Sequence, residues 1–112
     1  MVDSYVIMYI MVVHWVADFV MQTDEMATGK SSSNKWLLAH TSTYTIVMGV
    51  LTLNPAYALV NGVLHTLVDY VTSRWSSKLW AKGDVHNFFV VIGLDQLIHA
   101  VTLIATYKLL WH

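Results

Sequence analysis

The chain has 112 residues, of which 56% are apolar and 12% charged, with a net charge of −1 and no cysteine. That length makes one domain, and a charged fraction near half the ordinary one points to a membrane. With no basic stripe to neutralise phosphates, nucleic acid is excluded as a partner; with no cysteine, so are disulfides, thiolate catalysis and cysteine-held zinc.

The expected fold is all-α: a polytopic membrane protein whose four transmembrane helices form one compact bundle across 1–112. The start lacks a basic leader, carries Asp3 and shows no small-residue cleavage site, so the first apolar segment is expected to stay as a helix. That segment, roughly 5–22, contains "HWVADFV", in which His14, Asp18 and Gln22 form an i, i+4, i+8 ladder on one face. The connection "QTDEMATGKSSSNK" is polar and ends in Ser and Asn, suited to capping the next helix. The second segment, roughly 36–53, contributes His40, with Tyr44 one turn deeper.

Asn54-Pro55 caps and opens the third segment, roughly 56–73, where proline's missing N–H costs nothing at the first turn. Its ladder is Asn61, His65, Asp69 and Ser73, and "HTLVDYV" nearly repeats "HWVADFV". A short surface helix is expected over 73–82, since Trp75 and Leu79 are four apart between Arg74 and Lys78. Gly83 and Asp84 mark a stop and a restart. The fourth segment, roughly 86–109, inverts the order in "DQLIH", with Asp95 and His99 at i and i+4. His86 near its start faces headgroups, and His112 is terminal.

Each segment is about as long as a crossing of a ~30 Å hydrocarbon core needs, the first three near the short limit. A soluble four-helix bundle would want a charged stripe on every helix, yet 36–53 and 56–68 contain no Asp, Glu, Lys or Arg. Lys30 and Lys35 lie in the first connection and Arg74, Lys78 and Lys82 in the third, with Lys108 alone towards the other side. This bias puts those connections in the cytoplasm and both termini outside. Trp36, Trp75 and Trp80 flank the same loops as interfacial anchors, and Trp111 sits at the opposite end.

Asp18, Asp69 and Asp95 lie within these spans with no Lys or Arg beside them in the helices. A carboxylate near the centre of a membrane helix costs roughly 2.5–3.5 kcal/mol, so a proton, a donor or a metal must balance each. Counted from the cytoplasmic ends at ~1.5 Å per residue, His14, His65 and Asp95 fall about 12 Å deep, Asp18, Asp69 and His40 about 6 Å, and His99 somewhat deeper. Groups from four helices therefore converge on one layer. Any single ladder is explained by hydrogen bonding between helices; the set points to a divalent metal. The candidate ligands are His14, Asp18, His40, His65, Asp69, Asp95 and His99. Imidazole and carboxylate suit zinc first, with manganese or iron as alternatives. The donors exceed what one ion needs, which allows a two-metal centre; Glu-x-x-His of carboxylate di-iron bundles is absent. In each pair the aspartate could instead orient the histidine. The near-repeat suggests two hairpins related by a pseudo-two-fold along the membrane normal. Lys30, Lys35 and Arg74 serve topology first and an anionic headgroup second.

With "HWVADFVMQTDEMATGK", "LLAHTSTYT", "NGVLHTLVDYVTSRW" and "FFVVIGLDQLIH" in hand, the chain resembles the bacterial and phage membrane proteins grouped as domain of unknown function 3307, nearly end to end. The resemblance carries over His14, Asp18, Gln22, Asp24, Lys30, His40, His65, Asp69, Asp95, Gln96 and His99 as motif positions and lends no activity. More distantly the chain is similar to proteins classed as membrane-bound metal-dependent hydrolases under SOS control. The implied location is the bacterial inner (cytoplasmic) membrane, and the short Met- and Trp-rich chain suits a phage gene.

Three functions follow. The first is a metal-dependent hydrolase at the cytoplasmic face, acting on a lipid or phosphoester headgroup, with Asp95 and Asp24 as catalytic residues and Asp24 the proton acceptor. The second is a proton or metal-ion transporter using the same layer. The third is a non-catalytic membrane protein that binds a partner, its polar layer structural. Membrane lipid is a partner in all three, and four short helices are expected to form a homo-oligomer.

Overall fold

The structure, a computed structural model, describes residues 3–110. Helix α1 (Ser4–Trp15) runs directly into a π-helical turn (Val16–Val20), followed by a short α2 (Asp24–Gly29) and then α3 (Asn34–Thr52), α4 (Pro55–Ala81) and α5 (Val85–Leu110). No strand occurs among the described residues. Each helix starts where the chain offers a cap. Asp3 accepts from the Tyr5 N–H, Thr23 from Met26, Ser33 from Trp36 and Asn54 from Tyr57, so side-chain oxygens satisfy otherwise orphaned donors. Asp84 accepts both the side-chain amide and the backbone N–H of Asn87 at the head of α5, which holds its exposed carboxyl below the usual carboxylate range. Gly83, at φ 77°, supplies the left-handed residue that ends α4.

α3 packs on α4 and α4 on α5, while α1 touches both α3 and α5. The four long helices thus close a ring in which α1 and α4 are diagonal and meet only through side chains. α2 lies against α3. The body measures 44 × 26 × 20 Å.

Polarity is inverted. Among the described residues twelve polar or charged side chains are buried against ten apolar ones, while Tyr5, Val12, Ile46, Val63, Leu67, Phe89 and Val101 stand among many exposed large apolar groups. Contiguous exposed apolar surface marks a membrane or protein contact. The buried apolar cluster (Ile10, Val13, Ala17, Tyr44, Met48, Tyr57, Ala58 and Leu103) fills one end of the bundle. One helix, α5, is long and apolar enough to cross a membrane, and Ser4–Val20 is a shorter apolar helix. Length and composition alone therefore support one span rather than the four expected, because α3 and α4 carry hydroxyls and imidazoles on their inward faces.

Two expectations change. No separate surface helix forms over 73–82: α4 continues to Ala81, since no glycine or proline intervenes between Gly62 and Gly83 to stop it. The first helix is not regular to its end either, because Met21 N–H reaches back five residues to the Val16 carbonyl at 3.0 Å. Trp111 and His112 lie outside the described residues.

Close approach of α3 and α4 depends on Gly62. A Cβ there would clash with Thr45 Oγ1 and lie 3.1 Å from its Cβ and Cγ2, so rotating the threonine gives no escape. Gly62→Ala is expected to destabilise the bundle by about 1–3 kcal/mol, read as a lower midpoint in thermal unfolding followed by circular dichroism. An unchanged midpoint would show that the two helices separate freely.

Candidate metal centre

The ladders seen in the sequence meet in the interior. Asp18 enters from the π turn, His40 from α3, His65 and Asp69 from α4, and Asp95 and His99 from α5, all buried. A π turn adds a residue to the helical repeat and re-aims what it carries, a device common at functional sites; here it carries Asp18.

Two donor sets result. In the first, His40 Nε2 lies 2.9 Å from Asp18 Oδ1, 3.2 Å from Asp69 Oδ2 and 3.2 Å from His65 Nε2. His65 Nε2 lies 3.3 Å from Asp18 Oδ1 and 3.0 Å from Asp69 Oδ2. Tetrahedral ligands at ~2.0 Å from an ion are about 3.3 Å from each other, and these five separations approach that edge length. Among the described residues no aligned hydrogen bond reaches Asp18 Oδ1 or Asp69 Oδ2. Two acceptor oxygens without an aligned donor and two imidazole nitrogens within hydrogen-bond distance of each other thus converge at separations that a metal ion could bridge.

The second set is Asp69, Asp95 and His99. His99 Nε2 stands 3.2 Å from Asp69 Oδ1 and 3.2 Å from Asp95 Oδ1. Asp69 is thus shared, one oxygen turned to each set. Three donors leave a coordination position open, the arrangement of catalytic rather than structural metal sites. These buried His and Asp groups can hold a metal ion.

Stacking fixes the rings. Tyr44 lies over His65 at 4.0 Å between centroids and His65 over His99 at 4.1 Å, both nearly parallel. Nδ1 of His40 and of His65 has no hydrogen-bond partner among the described residues, so for His65 stacking replaces the hydrogen bond that usually orients a ligating histidine. Asp95 is held by the Thr72 hydroxyl, which donates to Oδ1 at 2.6 Å, and by Gln96 Nε2, which donates to Oδ2 at 3.0 Å.

His14 borders the centre and joins neither donor set. Its Nδ1 is 3.0 Å from the Tyr44 hydroxyl and its Nε2 is 2.9 Å from Gln96 Oε1. Since the Gln96 amide donates to Asp95, its oxygen faces His14. That arrangement gives one direction of donation: Tyr44 O–H to Nδ1, Nε2–H to Gln96, Gln96 to Asp95. Both ring nitrogens are then occupied, and Asp18 Oδ2 stays 3.6 Å from Nε2. Asp24 is also apart, exposed in the first turn of α2. Gln96 was marked only by family resemblance, and Thr72 not at all, although its place three residues after Asp69 puts both on one helical face.

Lys30 is the one cation at the centre, its Nζ 3.7 Å from Asp69 Oδ2. Lys35 lies over the Trp36 ring, and Arg74 donates to Asn34 and to the Tyr70 carbonyl, so both are engaged elsewhere.

The family model described as protein of unknown function (DUF3307) matches residues 6–112. The chain belongs to that family. No curated protein and no solved structure matches it. Because the match spans nearly the whole chain, both donor sets of this DUF3307 protein fall inside it.

His65→Ala removes a donor and the stacked ring together, so metal bound to purified protein should fall to background by elemental analysis. His14→Ala leaves every donor and should weaken metal affinity by about 10–100-fold, as loss of an orienting partner does. Equal loss in both variants would mean that His14 is itself a ligand.

Proposed function

We propose that this protein is a multi-pass membrane protein of the bacterial inner membrane that holds a two-ion centre, zinc first among candidates, and hydrolyses a phosphoester or lipid headgroup at the cytoplasmic face. The observation that carries the reading is Asp69, whose two oxygens serve a four-donor set and an open three-donor set. A shared carboxylate between adjacent sites is what two-metal hydrolytic centres need to hold ions close together.

Inverted polarity, an apolar α5 and a 44 Å long axis that matches a bilayer with its headgroup regions support the membrane part of the reading. The basic connections carrying Lys30, Lys35, Arg74 and Lys78 lie at the end of the bundle towards which the centre opens, and the positive-inside bias makes that end cytoplasmic.

In the four-donor set Asp18, His40, His65 and Asp69 would hold an ion in a closed shell that fixes α1, α3 and α4 together. In the open set Asp69, Asp95 and His99 would hold a second. A divalent ion there supplies an acidified water and polarises a phosphoryl oxygen. The chain's own contribution is orientation and proton management. Thr72 and Gln96 keep Asp95 fixed, and the Tyr44–His14–Gln96 line of donors ends on it. With Asp24 exposed in α2, Asp95 is the better placed of the two carboxylates assigned catalytic roles. Transport through the same layer is disfavoured by the apolar cluster around Ile10, Met48 and Leu103, which fills the bundle beyond the centre.

Protein purified from membranes should contain a divalent ion and cleave a chromogenic phosphodiester or a phospholipid. Activity should vanish in chelator and return with Zn²⁺ or Mn²⁺. Asp95→Asn should lower turnover by about 10²-fold or more, the scale on which a positioned acid–base group acts, while metal stays in the closed set. Metal-free protein that gains neither ion nor activity on dialysis would end this proposal.

A further inference from the structure

A groove of about 520 Å³ runs between α2, the C-terminal half of α4 and the start of α5. Its outer part is aromatic: Trp80 and Phe88 lie 5.0 Å apart, Phe88 and Phe89 5.1 Å. Its inner part is hydroxylic, with Ser73 and Ser76, and there Lys30 projects. A second, small cavity of about 50 Å³ is bounded by Asp69, Asp95, Thr72 and the same Lys30, Ser73, Ser76 and Ile92. Four lining residues are shared, so the two spaces adjoin at Lys30, Ser73, Ser76 and Ile92. The wall therefore changes from aromatic through hydroxyl to ammonium, and ends on the open donor set.

We propose that this groove seats one membrane lipid with an anionic phosphate headgroup, its tail along Trp80, Phe88 and Phe89 and its phosphate bound by Lys30. The identity of the site as a lipid-phosphate seat rests on the hydrolase reading for its purpose, and on the groove alone for its binding.

Three features select this occupant. The groove has the volume of a small-molecule site, and its apolar mouth faces the same surroundings as the exposed apolar surface of α4 and α5. Lys30 is the one Lys or Arg lining either cavity, and an ammonium binds phosphate as a point charge. The inner cavity, about 50 Å³ against 520 Å³ for the groove, is too small for an acyl chain, so a lipid seated here turns its phosphate toward the donors and keeps its tail in the groove. A zwitterionic lipid such as phosphatidylcholine offers Lys30 a phosphate already paired with its own ammonium, and so binds it less well than an anionic one. A soluble phosphate leaves the aromatic wall uncovered.

The test uses Trp80 as the reporter. Full-length protein is placed in nanodiscs of phosphatidylcholine containing a small fraction of phosphatidate brominated in its acyl chains. The Trp80 signal is the difference between wild type and Trp80→Phe, measured in chelator, so that no turnover occurs, and again with Zn²⁺. Brominated phosphatidate should be enriched at Trp80 about tenfold over brominated phosphatidylcholine, the selectivity one charge-assisted hydrogen bond carries. Lys30→Gln should abolish the enrichment and Lys30→Arg retain it. Ser77→Phe, at an exposed groove position, should block both lipids without touching Lys30. Equal quenching by the two lipids in wild type, or enrichment that survives Lys30→Gln, overturns the proposal. Lys30-dependent enrichment in protein that binds no metal would leave this inference standing and remove the hydrolase; metal binding without enrichment would do the reverse.

Discussion

The arrangement of this protein depends on one carboxylate. Asp69 is buried with His40, His65 and Lys30 around one oxygen and His99 before the other. Asp18 and Asp95 add two more buried acids a few ångströms away, and the one ammonium in reach belongs to Lys30. Three acids and one fixed cation in a dry interior are far from neutral, and an uncompensated buried charge is among the costliest defects a fold can carry. Imidazole N–H donors offset part of it; a divalent ion would offset more and satisfy the converging lone pairs together. The four helices are therefore placed by the demand for donors at one point as much as by apolar packing.

That demand explains what was legible in the sequence. His14 and Asp18, His65 and Asp69, and Asp95 and His99 lie in pairs four apart, and helical periodicity turns such spacing into a shared face whatever the tertiary detail. Equal depth on antiparallel helices then brings the faces together, which also captures His40. The role of His14 was not legible, because spacing says which face a ring occupies and nothing of what its nitrogens meet. Gln96 and Tyr44 decide that, one from α5 and one from α3. Nor does the pattern of "VADFV" announce a π turn: a single five-residue hydrogen bond depends on what packs around it. α2 was hidden for a simpler reason. A six-residue helix carries too little periodicity to stand out from a polar linker, although Thr23 caps it in the usual way. Without α2 the reach of Lys30 to Asp69 could not be read, and the lysine looked like one of several topology signals.

The near-repeat of "HWVADFV" and "HTLVDYV" has a geometric counterpart. α1 and α4 are diagonal in the ring and meet only through side chains, yet Asp18 and Asp69 both reach the same pair of histidines, His40 and His65. Two hairpins related by an axis along the bundle would do this. The symmetry stops there. α3 contributes one histidine, whereas α5 contributes Asp95 and His99, and this inequality makes one donor set closed and the other open. In the proposed reading, the broken symmetry on α5 would provide the position where a substrate oxygen fits.

The proposed four spans have to be reconciled with a composition that marks α5 alone as long and apolar enough. Hydropathy counts a hydroxyl as fully polar wherever it points. In α3 and α4, however, Thr43, Thr45 and Thr52 donate to carbonyls four residues back, as do Thr66 and Ser73. A hydroxyl already bonded to its own helix has little left to lose on leaving water, so such helices are less polar to lipid than their composition states. The imidazoles and carboxylates are turned inward, away from the acyl chains. What remains outward on α3 and α4 is Leu38, Ile46, Val50, Leu59, Val63, Leu67 and Val71, an aliphatic surface that water would not tolerate. Hydroxyls bonded to their own helix and the inward residues of the centre together lower the average hydropathy of α3 and α4, so the proposed spans there would fall short of a test based on averages.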